Sequence, residues 1–163
     1  MTLNISLFSG ASFTTFLKHT NHFESLKAFE PDIVVVILGA NDLKASVELS
    51  EIYDQCTKFY CLLREFLPKA FIIASQIENR FYSANNRFDS PLAADFDYLR
   101  RHFNRFLKNK PFKDCLMQVQ GSGRLDSQEY YRDSVHLNHR GLNKYFQFIE
   151  NTLSFAFNKG FAN

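Results

Sequence analysis

Pro31-Asp32-Ile33-Val34-Val35-Val36-Ile37-Leu38-Gly39-Ala40-Asn41-Asp42 decides how the rest of the chain is read. Ile33 to Leu38 is an unbroken, mostly β-branched aliphatic run, too short for a helix and apolar on both faces. Such a run predicts a central strand of a parallel sheet, covered front and back by helices. It stops at Gly39, and two small polar residues, Asn41 and Asp42, follow. Ligands of open α/β sheets bind beyond the carboxyl ends of the strands, where Asn41 and Asp42 would lie. The same letters also spell an ordinary Gly-Asn-Asp turn, and this segment alone does not separate the two readings.

Working outward, the flanking segments alternate between strand and helix signals. Upstream, Leu3 to Phe8 alternates apolar and polar residues as a strand does, and ends at Ser9-Gly10-Ala11-Ser12. Phe13, Phe16 and Leu17 then fall at helical spacing, with Ser12 placed to cap the helix. Glu24 to Phe29 reads as a further helical turn stopped by Pro31. Downstream, Ser50 to Leu67 puts Ile52, Cys56, Phe59, Leu63 and Phe66 on one helical face, and Pro68 ends it. Ala70 to Ala74 is a second short strand without alternation. Glu78 to Asp89 has no period and reads as a rim loop. Ser90-Pro91 is a helix-start signal, opening a helix with the stripe Phe96, Leu99, Phe103, Phe106 and Leu107. Cys115 to Val119 is a third such strand, and Gly121-Ser122-Gly123 a turn. Leu142, Tyr145, Phe146, Ile149 and Leu153 make the stripe of a C-terminal helix. Strands alternating with helices at these intervals imply α/β architecture with a parallel sheet.

Composition narrows the class without naming a chemistry. At 163 residues, 45 % hydrophobic and 22 % charged, the chain suits one domain with a full core. A net charge of +2 does not by itself point to nucleic acid or a membrane. Cys56, Cys61 and Cys115 lack metal-ligand spacing and read as buried free thiols, so no metal is expected. No signal-peptide pattern and no long apolar run occur, which makes a cytoplasmic, non-membrane protein the expectation.

The second informative stretch is Asp133-Ser134-Val135-His136-Leu137-Asn138-His139-Arg140-Gly141, between the last strand and the last helix. A carboxylate three residues before a histidine can hold one ring nitrogen and leave the other facing a cleft. The pair is then equipped to move a proton, the acid fixing the tautomer and stabilising the imidazolium. An Asp-x-x-His pair is weak alone. It gains weight from Gly-x-Asn-Asp after a central strand.

Taken together, Gly39-Ala40-Asn41-Asp42, Asp133-Ser134-Val135-His136-Leu137-Asn138, Gly141 and the Gly10-Ala11-Ser12 turn resemble the SGNH (GDSL-type) hydrolase family. The resemblance implies a flavodoxin-like three-layer α/β/α sandwich over residues 1–163, with a mostly parallel sheet one strand short of the family's. It implies hydrolysis of small esters or acetylated substrates without a metal or organic cofactor. Carried over by position, His136 is the general base and Asp133 its orienting partner. The Asn41 amide and the Gly10 backbone N–H are the oxyanion donors.

One departure stands against this agreement: no Gly-Asp-Ser, the family's nucleophile block, occurs anywhere in the chain. Either the chain is N-terminally truncated relative to the family, or Gly10-Ala11-Ser12 is a degenerate first block and Ser12 the nucleophile. The interval from Ser12 to Asn41 fits the truncated reading. The alternative class is a non-catalytic module on the same fold that binds RNA or protein. Arg80 to Lys113, where eight cations outnumber three acids among interleaved aromatics, is the feature that would favour nucleic acid.

Overall fold

Short β-branched runs and amphipathic helices fold here as their patterns require. The computed structural model describes residues 11–44, 46–78, 91–109, 117–120, 125, 127–129, 131 and 136–158. The elements run α1 (Phe13–Lys18), α2 (Asn21–Phe29), β1 (Ile33–Val36), α3 (Leu49–Phe66), β2 (Phe71–Ser75), α4 (Pro91–Asn109), β3 (Met117–Gln120) and α5 (His139–Asn158). A single 3₁₀ turn, Ser127–Glu129, precedes α5. The three described strands are parallel in the order β1-β2-β3. Val34 lies opposite Ile72, and Ile73 opposite Gln118. This is the α/β fold with a parallel sheet that the sequence implies.

Alternation along the strands assigns residues to two faces. Val36, Ile72 and Ala74 belong to the large core, which α1, α2, α3 and α4 close with Phe13, Phe23, Ile52, Phe59, Leu63 and Phe103. Phe71 and Ile73 point to the opposite face, where Ile33 and Val35 are only partly buried. Ser75, two residues on from Ile73, meets Tyr145 of α5 across 3.0 Å, so α5 reaches this second face at the carboxyl end of β2. Helices, sheet and α5 make three layers.

Local chemistry sets several element ends. Ser12 is the N-cap of α1, its hydroxyl accepting from the Thr15 N–H at 3.1 Å. Arg64 collects the carbonyls of Leu67, Pro68 and Ala70 at 3.1, 3.2 and 2.7 Å, tying the end of α3 to the start of β2. Pro91 opens α4 at the position a proline tolerates best.

Three expectations are corrected. The Ile33–Leu38 run forms a strand only to Val36. Ile37, just past the end of β1, is 55 % exposed. In α5, Leu142 and Phe146 of the expected core stripe are exposed, because the buried side of the helix runs through Gly141, which abuts Glu129, Tyr145, which meets Ser75, and Thr152. Of the cysteines, Cys56 is buried but Cys61 is exposed on the outer side of α3. The strand read at Leu3–Phe8, most of the loop at 78–89, Ser90, Cys115 and the turn at 121–123 lie outside the described residues.

Candidate active site

Gly39 to Asp42 form a turn immediately beyond β1, closed by the Asp42 N–H donating to the Gly39 carbonyl at 3.0 Å. Gly39 has φ +114°, a conformation that L side chains rarely adopt. A Cβ there would also crowd Phe13 and Ile77, each at 3.1 Å. The glycine therefore lets the chain reverse directly over the core.

Two side chains of this turn reach the start of α1. The Asn41 amide donates to the Ala11 carbonyl at 3.0 Å. The Asp42 carboxylate accepts the Phe13 N–H, 3.2 Å to one oxygen and 3.1 Å to the other. Burial pushes the Asp42 carboxyl above its ordinary value, partly offset by the N–H groups of Phe13 and Thr14 and the charge of Lys44. Asp42 thus serves the helix start, where an anion meets free N–H groups. Asn41 is exposed and has a second N–H beyond the one given to Ala11. Ser12, the candidate nucleophile, has its oxygen committed to the Thr15 N–H and lies 2.9 Å from the Thr15 hydroxyl.

His136 sits in the segment that feeds α5. Its carbonyl accepts the Tyr131 N–H at 2.9 Å, and the Asn138 N–H donates to the Glu129 carbonyl at 2.8 Å. Asn138 then caps α5, accepting the Gly141 N–H at 3.1 Å and donating its amide to the Gln128 carbonyl at 2.7 Å. Gly141 is required by close approach: a Cβ would stand 2.2 Å from the Glu129 carbonyl oxygen. Glu129 itself is 1 % exposed, its carboxylate 2.7 Å from Lys144 and 3.4 Å from Arg140. The His136 side chain is exposed. Asp133 and Gly10 lie outside the described residues.

A model of the GDSL-like lipase/acylhydrolase family matches residues 3–143. The chain belongs to that family. Solved structures agree in fold. A mutant acetyl esterase with acetate ion superposes with a TM-score of 0.67 at 17 % identity, over 89 % of this chain and 67 % of that one. A carbohydrate esterase family 3 protein from Talaromyces cellulolyticus gives 0.68 at 17 % identity over the same shares. The psychrotrophic esterase EstA from Pseudoalteromonas sp. gives 0.50 at 18 % identity, over 90 % of this chain and 75 % of that one. No curated protein sequence matches the chain.

Within this GDSL-like fold, three polar anchors at the carboxyl edge escaped sequence reading. Asn104 of α4 is buried and clasps both backbone groups of Ile77, each at 2.9 Å, fixing the chain as it leaves β2. Its one signal is a polar residue between Phe103 and Phe106. Ser75 and Tyr145 join β2 to α5, and burial raises the Tyr145 hydroxyl to about 12. Glu129 pairs with residues of α5 that no local spacing connects to it. Among the described residues, no group of His, Cys, Asp and Glu could hold a metal ion, and no helix is long and apolar enough to cross a membrane.

Proposed function

We propose that this chain is an SGNH-type acyl-hydrolase scaffold acting on small carboxylic or acetyl esters, with Asn41 and Gly10 as oxyanion donors and His136, oriented by Asp133, as the base. The observation that carries the reading is the Asn41–Ala11 hydrogen bond, which brings the turn after β1 against the residue that follows Gly10. The His136 loop supports it, since Ser75–Tyr145 ties the first turns of α5 to the carboxyl end of β2, the neighbour of β1. The acetyl esterase and carbohydrate esterase among the similar structures favour a small acyl group.

In the reaction, an oxygen nucleophile adds to the ester carbonyl while His136 takes its proton. The carbonyl oxygen becomes an anion held by the Asn41 amide and the Gly10 N–H. Collapse expels the alkoxide, which recovers the proton from His136. Each such donor is worth about 10²–10³ in rate. Ser12 is bound to the helix it caps, and no Gly-Asp-Ser supplies another serine. With these residues alone, water is the attacking group, and turnover is about 10⁶ below that of a serine nucleophile.

The test is p-nitrophenyl acetate hydrolysis by the purified chain beside Ser12→Ala and His136→Ala. Turnover barely above background, insensitive to Ser12→Ala and lost in His136→Ala, is expected. Robust turnover abolished by either substitution would make Ser12 the nucleophile. Turnover unaffected by His136→Ala would leave a non-catalytic module.

A further inference from the structure

The outer face of α4 carries a feature that neither the core nor the acyl site uses. Tyr98, Arg101, His102 and Arg105 line a surface groove of about 280 Å³. At 100° per residue these four project from one strip, opposite the buried stripe of Phe96, Leu99, Phe103 and Leu107. An aromatic ring opposite the core contributes nothing to closing it, yet Tyr98 is 55 % exposed there. Its ring lies 4.3 Å from that of His102, at 46°. Arg101 and Arg105 flank the two rings one helical turn apart. Asp97 engages Arg101 from the side of the strip and Arg100 as well, while Asp95 is exposed at its edge. Lys108, also exposed, adds a cation one turn beyond Arg105.

We propose that the Tyr98–Arg101–His102–Arg105 groove binds single-stranded nucleic acid, the tyrosine stacking on a base while the two arginines take adjoining phosphates. A π-face accepts any base, and guanidinium groups spaced along a helix follow a backbone without reading sequence. This site is on the outside of α4 and is independent of ester hydrolysis.

Fluorescence anisotropy with a labelled oligothymidylate of about twelve nucleotides, within the usual range of single-strand sites, tests it. Saturable binding at 50 mM salt should weaken roughly tenfold by 200 mM, as two or three neutralised phosphates imply. Arg101→Glu with Arg105→Glu should abolish it, and Tyr98→Ala should weaken it about fivefold or more. Lys18→Glu with Lys69→Glu makes the same change in net charge on other surfaces and should leave binding within about twofold. Absence of saturable binding, or equal loss in the two charge-reversed proteins, overturns the proposal. So does binding that is indifferent to Tyr98→Ala and competed equally by polyglutamate, which would assign the groove to acidic protein instead.

Discussion

The two faces of the sheet are built unequally. One is closed by four helices and holds Phe13, Phe23, Ile52, Phe59 and Phe103 at or near zero exposure. The other has α5 at one end, the buried Phe71 and Ile73, the partly buried Ile33 and Val35, and the exposed Ile37. The residues proposed for the acyl site draw on both. Asn41 stands on a turn pinned over the thick face by Phe13 and Gly39, whereas His136 leads into the helix of the thin one. Stability should therefore be concentrated around Asn41, the proposed oxyanion donor, and His136, the proposed base, should rest on a few polar anchors.

The largest contrast should come from phenylalanine truncations. Phe103→Ala removes a fully buried ring in contact with Phe13 and Tyr53, and should cost about 3–5 kcal/mol in denaturant unfolding. If it costs no more than an α5 surface change, the thick face is not the core.

Sequence patterns made the thick face legible. The Ile52–Cys56–Phe59–Leu63 stripe is buried throughout, and Ser12 and Pro91 mark helix starts as their side chains demand. The thin face was harder to read for a physical reason. A β-branched run reports that a strand is favoured, not where it ends or how well each residue is covered, so Ile37 looked as internal as Val36. In α5 the period gives an amphipathic helix, but Leu142 and Phe146 fall just beyond its buried side. Asn41 and His136 stand out in the sequence because their motifs are local. Asn104, Tyr145 and Glu129 were not, since each is defined by a partner remote in sequence.

Polar anchors sharpen the comparison at intermediate cost. Gly141→Ala drives a methyl into the Glu129 carbonyl, and should destabilise by about 1–3 kcal/mol as the α5 start shifts away. Asn104→Ala leaves the N–H and C=O of Ile77 without their partner and should cost about 1–3 kcal/mol. If both changes are silent in thermal unfolding, the carboxyl edge is held by something else.

Tyr145→Phe should cost about 1 kcal/mol near neutral pH by removing the bond to Ser75. Its pH dependence has a definite sign. The hydroxyl ionises at about 12 in the folded chain and near 10 when unfolded, so its contribution is complete below pH 10 and is lost as pH rises toward 12. The gap between the native chain and Tyr145→Phe should narrow over that range. A gap constant from pH 8 to 12 would mean that Tyr145 is not buried against β2.

The smallest effect belongs to Phe146→Ser. This side chain is 52 % exposed, and its loss should change stability by no more than about 0.5 kcal/mol. A cost near that of Phe103→Ala would show that the outer side of α5 is covered.

The central claim is that the turn of Asn41 and the loop of His136 serve one carbonyl. It is tested most directly by residual p-nitrophenyl acetate hydrolysis in Asn41→Ala, His136→Ala and the double variant. Groups acting as a unit are non-additive, so the double variant should be no slower than the slower single one. Losses that multiply in the double variant would show that the two residues act at separate places, and would contradict the account.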